Sequence, residues 1–143
     1  MIVLDTNVIS EPTKPVANLS VLTWLNRQER GTLCLTAISL AELLGGLALL
    51  PEGRRKQALG SALDEHIGKL ILTPILAFDR EAALAYAALL ARAKTNRYTL
   101  GMADAQIAAI ALAHGFAVAT RDVDPFIAAG VPVINPWEHE SVP

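Results

Sequence analysis

Several things are scarce in this chain, and each scarcity removes a class of protein. There is one cysteine, Cys34, so no internal disulfide framework can form, which fits a reducing cytosol. Within TLCLTA it reads as a small core residue. No apolar run approaches the roughly 20 residues of a membrane-spanning helix; the longest clean one, Leu43 to Leu50, contains two glycines. The first residues lack the basic cluster and the small-residue cleavage site of a signal peptide, so a cytoplasmic location without a membrane is expected. His66, His114 and His139 are scattered and offer no paired spacing for zinc. An excess of basic charge is missing too: the net charge is −2 and the isoelectric point about 5.9. A free nucleic-acid binder usually carries a basic surface. Any nucleic acid handled by this chain must therefore be met by a local patch, a metal or a partner. No tandem repeat, low-complexity tract or linker breaks the sequence.

What remains is a core-rich chain. It has 143 residues, 52% apolar and 18% charged, with mean hydropathy +0.38. That is enough to bury one sizeable core, and residues 1–143 read as one domain. So apolar a composition also leaves surface for a partner to cover. Apolar strands over Ile2–Leu4, TLCLTA, LILTPIL, FAVAT and VPVIN alternate with helical stretches. Asn7–Ser10 begins a short helix that Pro12 and Pro15 interrupt. The others are NLSVLTWLNRQE, ended by Gly31; Thr36 to Leu50, closed by Pro51; RRKQALGSALDEHIGKL, with Leu59, Leu63, Ile67 and Leu70 on one stripe; REAALAYAALLARAK, capped by Asp79; and AQIAAIALAH, stopped by Gly115. The short stretch FIAAG also reads as helical. Alternation of this kind predicts right-handed βαβ units in a three-layer α/β/α sandwich with a central, mainly parallel sheet. Ligands then bind beyond the carboxyl ends of the strands, near a switch point in strand order.

Of 14 acidic residues, most have plain explanations. Glu29, Glu52, Asp64, Glu65, Glu81, Glu138 and Glu140 sit in polar surroundings, and Asp79 caps a helix. Four stand among apolar or small residues: Asp5 in VLDTN, Glu42 in SLAELLGG, Asp104 in GMADAQIAA and Asp122 in ATRDVD. A buried carboxylate is costly unless it is paired or bound to a cation. Each of the four has a structural explanation as well. Asp5 can cap the next helix, Ser39 and Glu42 can form a capping box unless the apolar pattern starts the helix nearer Thr36 and leaves Glu42 in its second turn, Asp104 can sit at a favourable helix start, and Asp122 can open a turn. Taken together, two carboxylates at strand ends and two in helix N-terminal turns converge on one edge of a parallel sandwich. Their repulsion calls for cations, and hard oxygen donors suit Mg²⁺ or Mn²⁺. A carboxylate-bound metal pair is suited to phosphodiester hydrolysis.

The ordered set LDTNVIS, TAISLAELLGG, MADAQIAAIA and VATRDVDPF…GVPVINPW resembles PIN-domain proteins of the VapC toxin type, and the FitB subgroup closely, over essentially the whole chain. The resemblance implies a PIN-like fold and a Mg²⁺- or Mn²⁺-dependent endoribonuclease, the toxin of a toxin–antitoxin pair. Its acidic catalytic and metal positions fall on Asp5, Glu42, Asp104 and Asp122, with Thr6, Asn7 and Thr120 beside them. Arg97, Arg121 and Lys94 are candidate phosphate or RNA contacts; for Lys94 ordinary surface charge is the stronger explanation. A glycine often found four residues after the glutamate is matched by Gly46, although Gly45 and Gly46 would equally suit close helix packing. One departure stands out. Where many relatives carry an acid before the Phe, this chain has Pro125, which leaves Asp124 at best peripheral. The resemblance further implies an RNA substrate, a small DNA-binding antitoxin, contact with DNA only through that antitoxin, and a homodimer or a heterotetramer or hetero-octamer with it.

Two rivals stand beside this reading. An aspartyl-nucleophile phosphatase also begins with a strand ending in Asp, but it normally needs a second Asp two residues on, where this chain has Asn7. Alternatively the chain is a weakly active or inactive partner that scaffolds a DNA-binding antitoxin for operator binding.

Overall fold

In a computed structural model, described here for residues 1–139, four short strands form one parallel sheet. Strand β1 (Ile2–Leu4) lies between β2 (Leu33–Cys34) and β3 (Ala117–Ala119), and β4 (Val133–Ile134) completes the order β2-β1-β3-β4. Every pairing is parallel, with Val3 opposite both Cys34 and Val118 and Leu4 opposite Ala119. From β1 the chain first builds outward on one side, then returns to build on the other. The switch point therefore falls between β1 and β3.

Side chains of a strand alternate between the two faces of its sheet, and this sheet is apolar on both. Val3, Cys34 and Val118 point into one core with Leu89, Ile107, Ala108 and Phe126. Leu4, Leu33, Leu35 and Ala119 point into the other, with Val8, Ile9, Trp24, Leu43 and Leu63. Helices α5 (Arg80–Asn96), α6 (Met102–His114) and α7 (Val123–Ala128) supply the first layer. Helices α1 (Thr6–Ser10), α2 (Leu19–Arg27), α3 (Ala37–Ala48) and α4 (Arg54–Leu70) supply the second. The stripe of Leu59, Leu63, Ile67 and Leu70 is the face of α4 that packs inward. The α/β/α sandwich with a parallel sheet is thus as expected, and Cys34 is a buried core residue.

Two local expectations need correction, and one open choice is decided. LILTPIL forms no strand; it makes a single isolated bridge, Thr36 with Leu76, and the Thr73 hydroxyl donates to the Leu33 carbonyl at 3.3 Å. Pro74 explains this, because it supplies no amide for a ladder and constrains the residue before it. Helix α2 stops at Arg27, with Gln28 extended. Gly31, at φ +83°, instead serves the turn into β2. The Ser39–Glu42 capping box does not form. Thr36 is the N-cap, its Oγ1 accepting the Ser39 N–H at 3.0 Å. Ser39 is wholly buried, and Glu42 is exposed in the second turn of α3. Asp79 does cap α5, through Oδ1 to the Ala82 N–H at 3.0 Å. Glu140 lies outside the described residues.

Candidate active site

Asp5 leaves the end of β1 and is 6% exposed. Its two oxygens do different work. Oδ1 accepts the Thr6 N–H at 2.8 Å and so caps α1, while Oδ2 accepts the Thr120 hydroxyl at 2.8 Å. The hydroxyl is buried and comes from the residue directly after β3, across the switch point. Thr120 Oγ1 in turn accepts the Asp122 N–H at 3.1 Å. Thr120, not Asp122, therefore follows the strand, and Asp122 stands two residues further on as the exposed N-cap of α7. The Thr6 hydroxyl donates to Glu42 Oε1 at 2.9 Å, which ties α1 to α3. Asn7 accepts the Arg121 N–H at 3.4 Å, a long bond. Of the residues singled out beside the acids, Thr6 and Thr120 belong to one hydrogen-bonded network through Asp5, and Asn7 is bonded separately to the Arg121 amide.

Asp104 enters from the first turn of α6, half-buried. Its carboxyl is pushed up to about 6, first by burial and then by the negative charges of Asp5, Asp122 and Glu42. The carboxyl of Asp5 is also raised. Burial is the main cause; hydrogen bonds from Thr120 and Thr6 pull the other way, and Glu42 and Asp122 push it up. Each of the four candidate acids thus lies within electrostatic reach of others, although they come from one strand end, one loop and two helices. Unneutralised carboxylates behave in this way when they share a site. The arrangement is open. Among the described residues no three His, Cys, Asp or Glu side chains form a ready-made ion cage.

The remaining candidates lie further out. Arg97 is exposed at the end of α5 in the left-handed conformation, φ +56°, where a residue with a Cβ is strained. Lys94 is exposed in the last turn of the same helix and Asp124 in the first turn of α7. Asp124 is absent from the charges that raise Asp5 and Asp104. Gly45 and Gly46 are exposed, and a Cβ added at either would meet nothing within 4 Å. Close helix packing therefore does not explain them, and the helix face one turn beyond Glu42 is left open. Replacing Arg97 by glycine is expected to raise stability by about 1 kcal/mol, since glycine is the natural residue for a left-handed helix end. Thermal unfolding checks this. A lower melting temperature would mean that the side chain makes contacts outweighing the strain.

One functional-looking acid escaped the sequence reading. Glu11, in the 3-10 turn after α1, is 3% exposed. It pairs with Lys14 at 2.8 Å and accepts the Asn18 N–H at 3.0 Å. Burial works against its charge, but these partners hold its carboxyl below the ordinary range, with a smaller contribution from Arg121. The signal was a lysine three residues on, and the task is structural: Glu11 ties the 3-10 turn to the start of α2.

Fold and acids together define an α/β/α protein with a carboxylate cluster at the carboxyl edge of a parallel sheet, beside its switch point. The PIN domain model matches residues 2–131, and the chain belongs to that family. It is 50% identical over 138 residues to the plasmid stability protein StbB of Pseudomonas syringae pv. tomato, covering 96% of this chain and 99% of that one. It is 49% identical, with the same coverage, to the VapC ribonuclease Y4jK of Sinorhizobium fredii. It is also 45% identical to the toxin FitB of Neisseria gonorrhoeae, over 96% of this chain and 99% of that one. Among solved structures, FitAcB of Neisseria gonorrhoeae matches with TM-score 0.90 over 97% of this chain and 100% of that one, at 45% identity. FitAB bound to an IR36 DNA fragment matches with TM-score 0.91 over 98% of each chain, at 44% identity.

Proposed function

We propose that this protein is a Mg²⁺- or Mn²⁺-dependent endoribonuclease and the toxin of a toxin–antitoxin pair. The observation that carries the reading is the convergence of four acids at the carboxyl edge of the sheet, with Asp5, Asp122 and Glu42 near enough to Asp104 to add to the effect of burial on its carboxyl. The donor set fits Mg²⁺ or Mn²⁺: hard oxygens only, in an open arrangement. Mg²⁺ usually keeps several waters and takes one or two carboxylates plus substrate phosphates, so a closed cage is not required. Asp5, Glu42, Asp104 and Asp122 would hold the metal. When bound, it supplies the Lewis acidity that activates a water and neutralises the phosphate under attack. The chain's own residues set the geometry. Thr120 fixes one oxygen of Asp5, the Thr6 amide fixes the other, and the Thr6 hydroxyl aims Glu42. Hydrogen bonds of this kind orient ligating carboxylates and are commonly worth 10- to 100-fold in affinity or activity. Arg121 and Arg97 are the cations offered to the substrate's backbone.

The names of the relatives support the same reading: a VapC ribonuclease and the toxin FitB, each nearly half identical over almost the full chain. The FitAB complex on DNA supports a small DNA-binding partner through which this chain would meet operator DNA. The exposed apolar residues Leu44 on α3, Leu49 just after it, and Leu84 and Leu90 on α5 suit a surface covered by a partner or a second copy. No helix among the described residues is long and apolar enough to cross a membrane. Phosphatase chemistry is disfavoured, because the residue two beyond Asp5 is an amide whose side-chain oxygen is engaged with the Arg121 amide. Expression of the chain without its partner, followed by mapping of RNA ends, tests the proposal. Discrete new cleavage sites are expected; intact RNA with a folded chain would favour a scaffold that only assembles its partner on DNA.

A further inference from the structure

Arg121 stands between Thr120, which holds Asp5, and Asp122, a member of the acid cluster. A mobile guanidinium there would be drawn onto the carboxylates and would neutralise them. Yet Lys14–Glu11, Lys56–Glu52 and Lys69–Glu65 are paired, while Arg121 is in no ion pair with a described residue. Its guanidinium carbon instead lies 5.3 Å from the centre of the Trp137 ring, within the range of a cation–π contact. The residue is held in place: its backbone N–H donates to Asn135 Oδ1 at 3.0 Å, and the indole packs partly buried against the second core. The charge of Arg121 is felt at Glu11, at the far end of α1, and does not figure among the influences on Asp5 or Asp104. Arg121 thus rests on the Trp137 ring and is paired with none of the four acids, and it remains exposed.

We infer that Trp137 is a positioning residue for the RNA backbone: its indole face holds Arg121 off the acid cluster and presents the guanidinium to the phosphate next to the one being cleaved. The inference rests on the ribonuclease reading above. A planar fork stacked on an aromatic ring keeps its N–H edge free for a phosphate. The same contact prevents the cation from competing with a metal for the carboxylates.

Steady-state cleavage of a short single-stranded RNA carrying a mapped site tests this, with Mn²⁺ at saturation. Arg121→Ala is expected to raise KM about tenfold with kcat within about twofold of the unaltered chain. Trp137→Ala is expected to raise KM about threefold, with Trp137→Phe close to the unaltered chain, since Phe keeps an aromatic face. In the Arg121→Ala background, Trp137→Ala is expected to add nothing, because the two act as one unit. Arg121→Lys, a surface change that does not threaten the fold, keeps the charge but loses the stacked plane. It is expected to raise KM as Trp137→Ala does and to be indifferent to it. Additive effects of Trp137→Ala and Arg121→Ala, an unaltered KM in Trp137→Ala or Arg121→Lys, or a loss confined to kcat would overturn the inference alone. A folded, unaltered chain that cleaves no RNA with any divalent ion would overturn the ribonuclease reading itself, and this inference with it.

Discussion

Asp5→Asn is expected to reduce RNA cleavage about a thousandfold while leaving the chain folded. The magnitude follows from the several kcal/mol of charge stabilisation that a bound metal supplies in such reactions. The substitution is close to isosteric. An asparagine oxygen can still accept the Thr6 N–H and so keep the cap on α1, and its other end still lies beside the Thr120 hydroxyl. What disappears is one negative charge at the point where the cluster is most buried. Asp5→Ala would confuse the two roles, since loss of a cap costs about 1 kcal/mol on its own. Initial cleavage rates with Mn²⁺, read beside melting temperatures, check the expectation. A folded Asp5→Asn chain with ordinary activity would remove Asp5 from the chemistry and leave it a helix cap.

The second large effect concerns stability against pH. Asp104 has its carboxyl raised from 3.8 to about 6 in the folded chain. Between these values the folded state binds more protons than the unfolded one, so the contribution of Asp104 to stability falls as pH rises through this window. Above about pH 6 its full cost is present. Glu11 works in the opposite sense and in a lower window. Its lowered carboxyl contributes stability that is lost only as the solution becomes acidic enough to protonate it. Comparing the unaltered chain with Asp104→Asn removes this background. Without metal, Asp104→Asn is expected to be the more stable chain at pH 8, with the difference shrinking towards pH 4. Saturating Mn²⁺ is expected to stabilise the unaltered chain at pH 8 and to do far less for Asp104→Asn, because a ligand that binds only the folded state raises its stability. Melting curves at pH 4.5 and pH 8, with chelator or Mn²⁺, check both arms. Parallel pH profiles for the two chains would show that Asp104 is not held under charge stress.

Much of this arrangement was legible in the sequence, and the failures have physical causes. The strand–helix alternation was plain because the sheet is buried on both faces, which makes Ile2–Leu4 and FAVAT read as unbroken apolar runs. LILTPIL carried the same composition but not the same backbone, since Pro74 cannot donate to a ladder. Asp5 was posed as a cap or a charge holder; Oδ1 caps α1 while Oδ2 accepts the Thr120 hydroxyl, a division that spacing cannot reveal. Glu42 had two readings, the end of a local S-x-x-E box or the second turn of a helix that starts nearer Thr36. Thr36 prevailed, since starting the helix there lets Ser39 be buried against its hydroxyl. Glu11 was passed over because an acid beside Pro12 and near Lys14 reads as a solvated turn, and its burial depends on the distant packing of α2. The contact of Arg121 with Trp137 joins residues sixteen apart across the last βαβ unit, a relation carried only by the fold.

The most direct test of the central claim, that these four carboxylates hold a divalent ion which drives RNA cleavage, is a side-by-side cleavage assay. The purified unaltered chain and Asp104→Asn are each given the same RNA with Mn²⁺ or with chelator. Cleavage is expected from the unaltered chain with Mn²⁺, none with chelator, and almost none from Asp104→Asn under either condition. Equal cleavage by the two chains, or cleavage that survives the chelator, would contradict that claim.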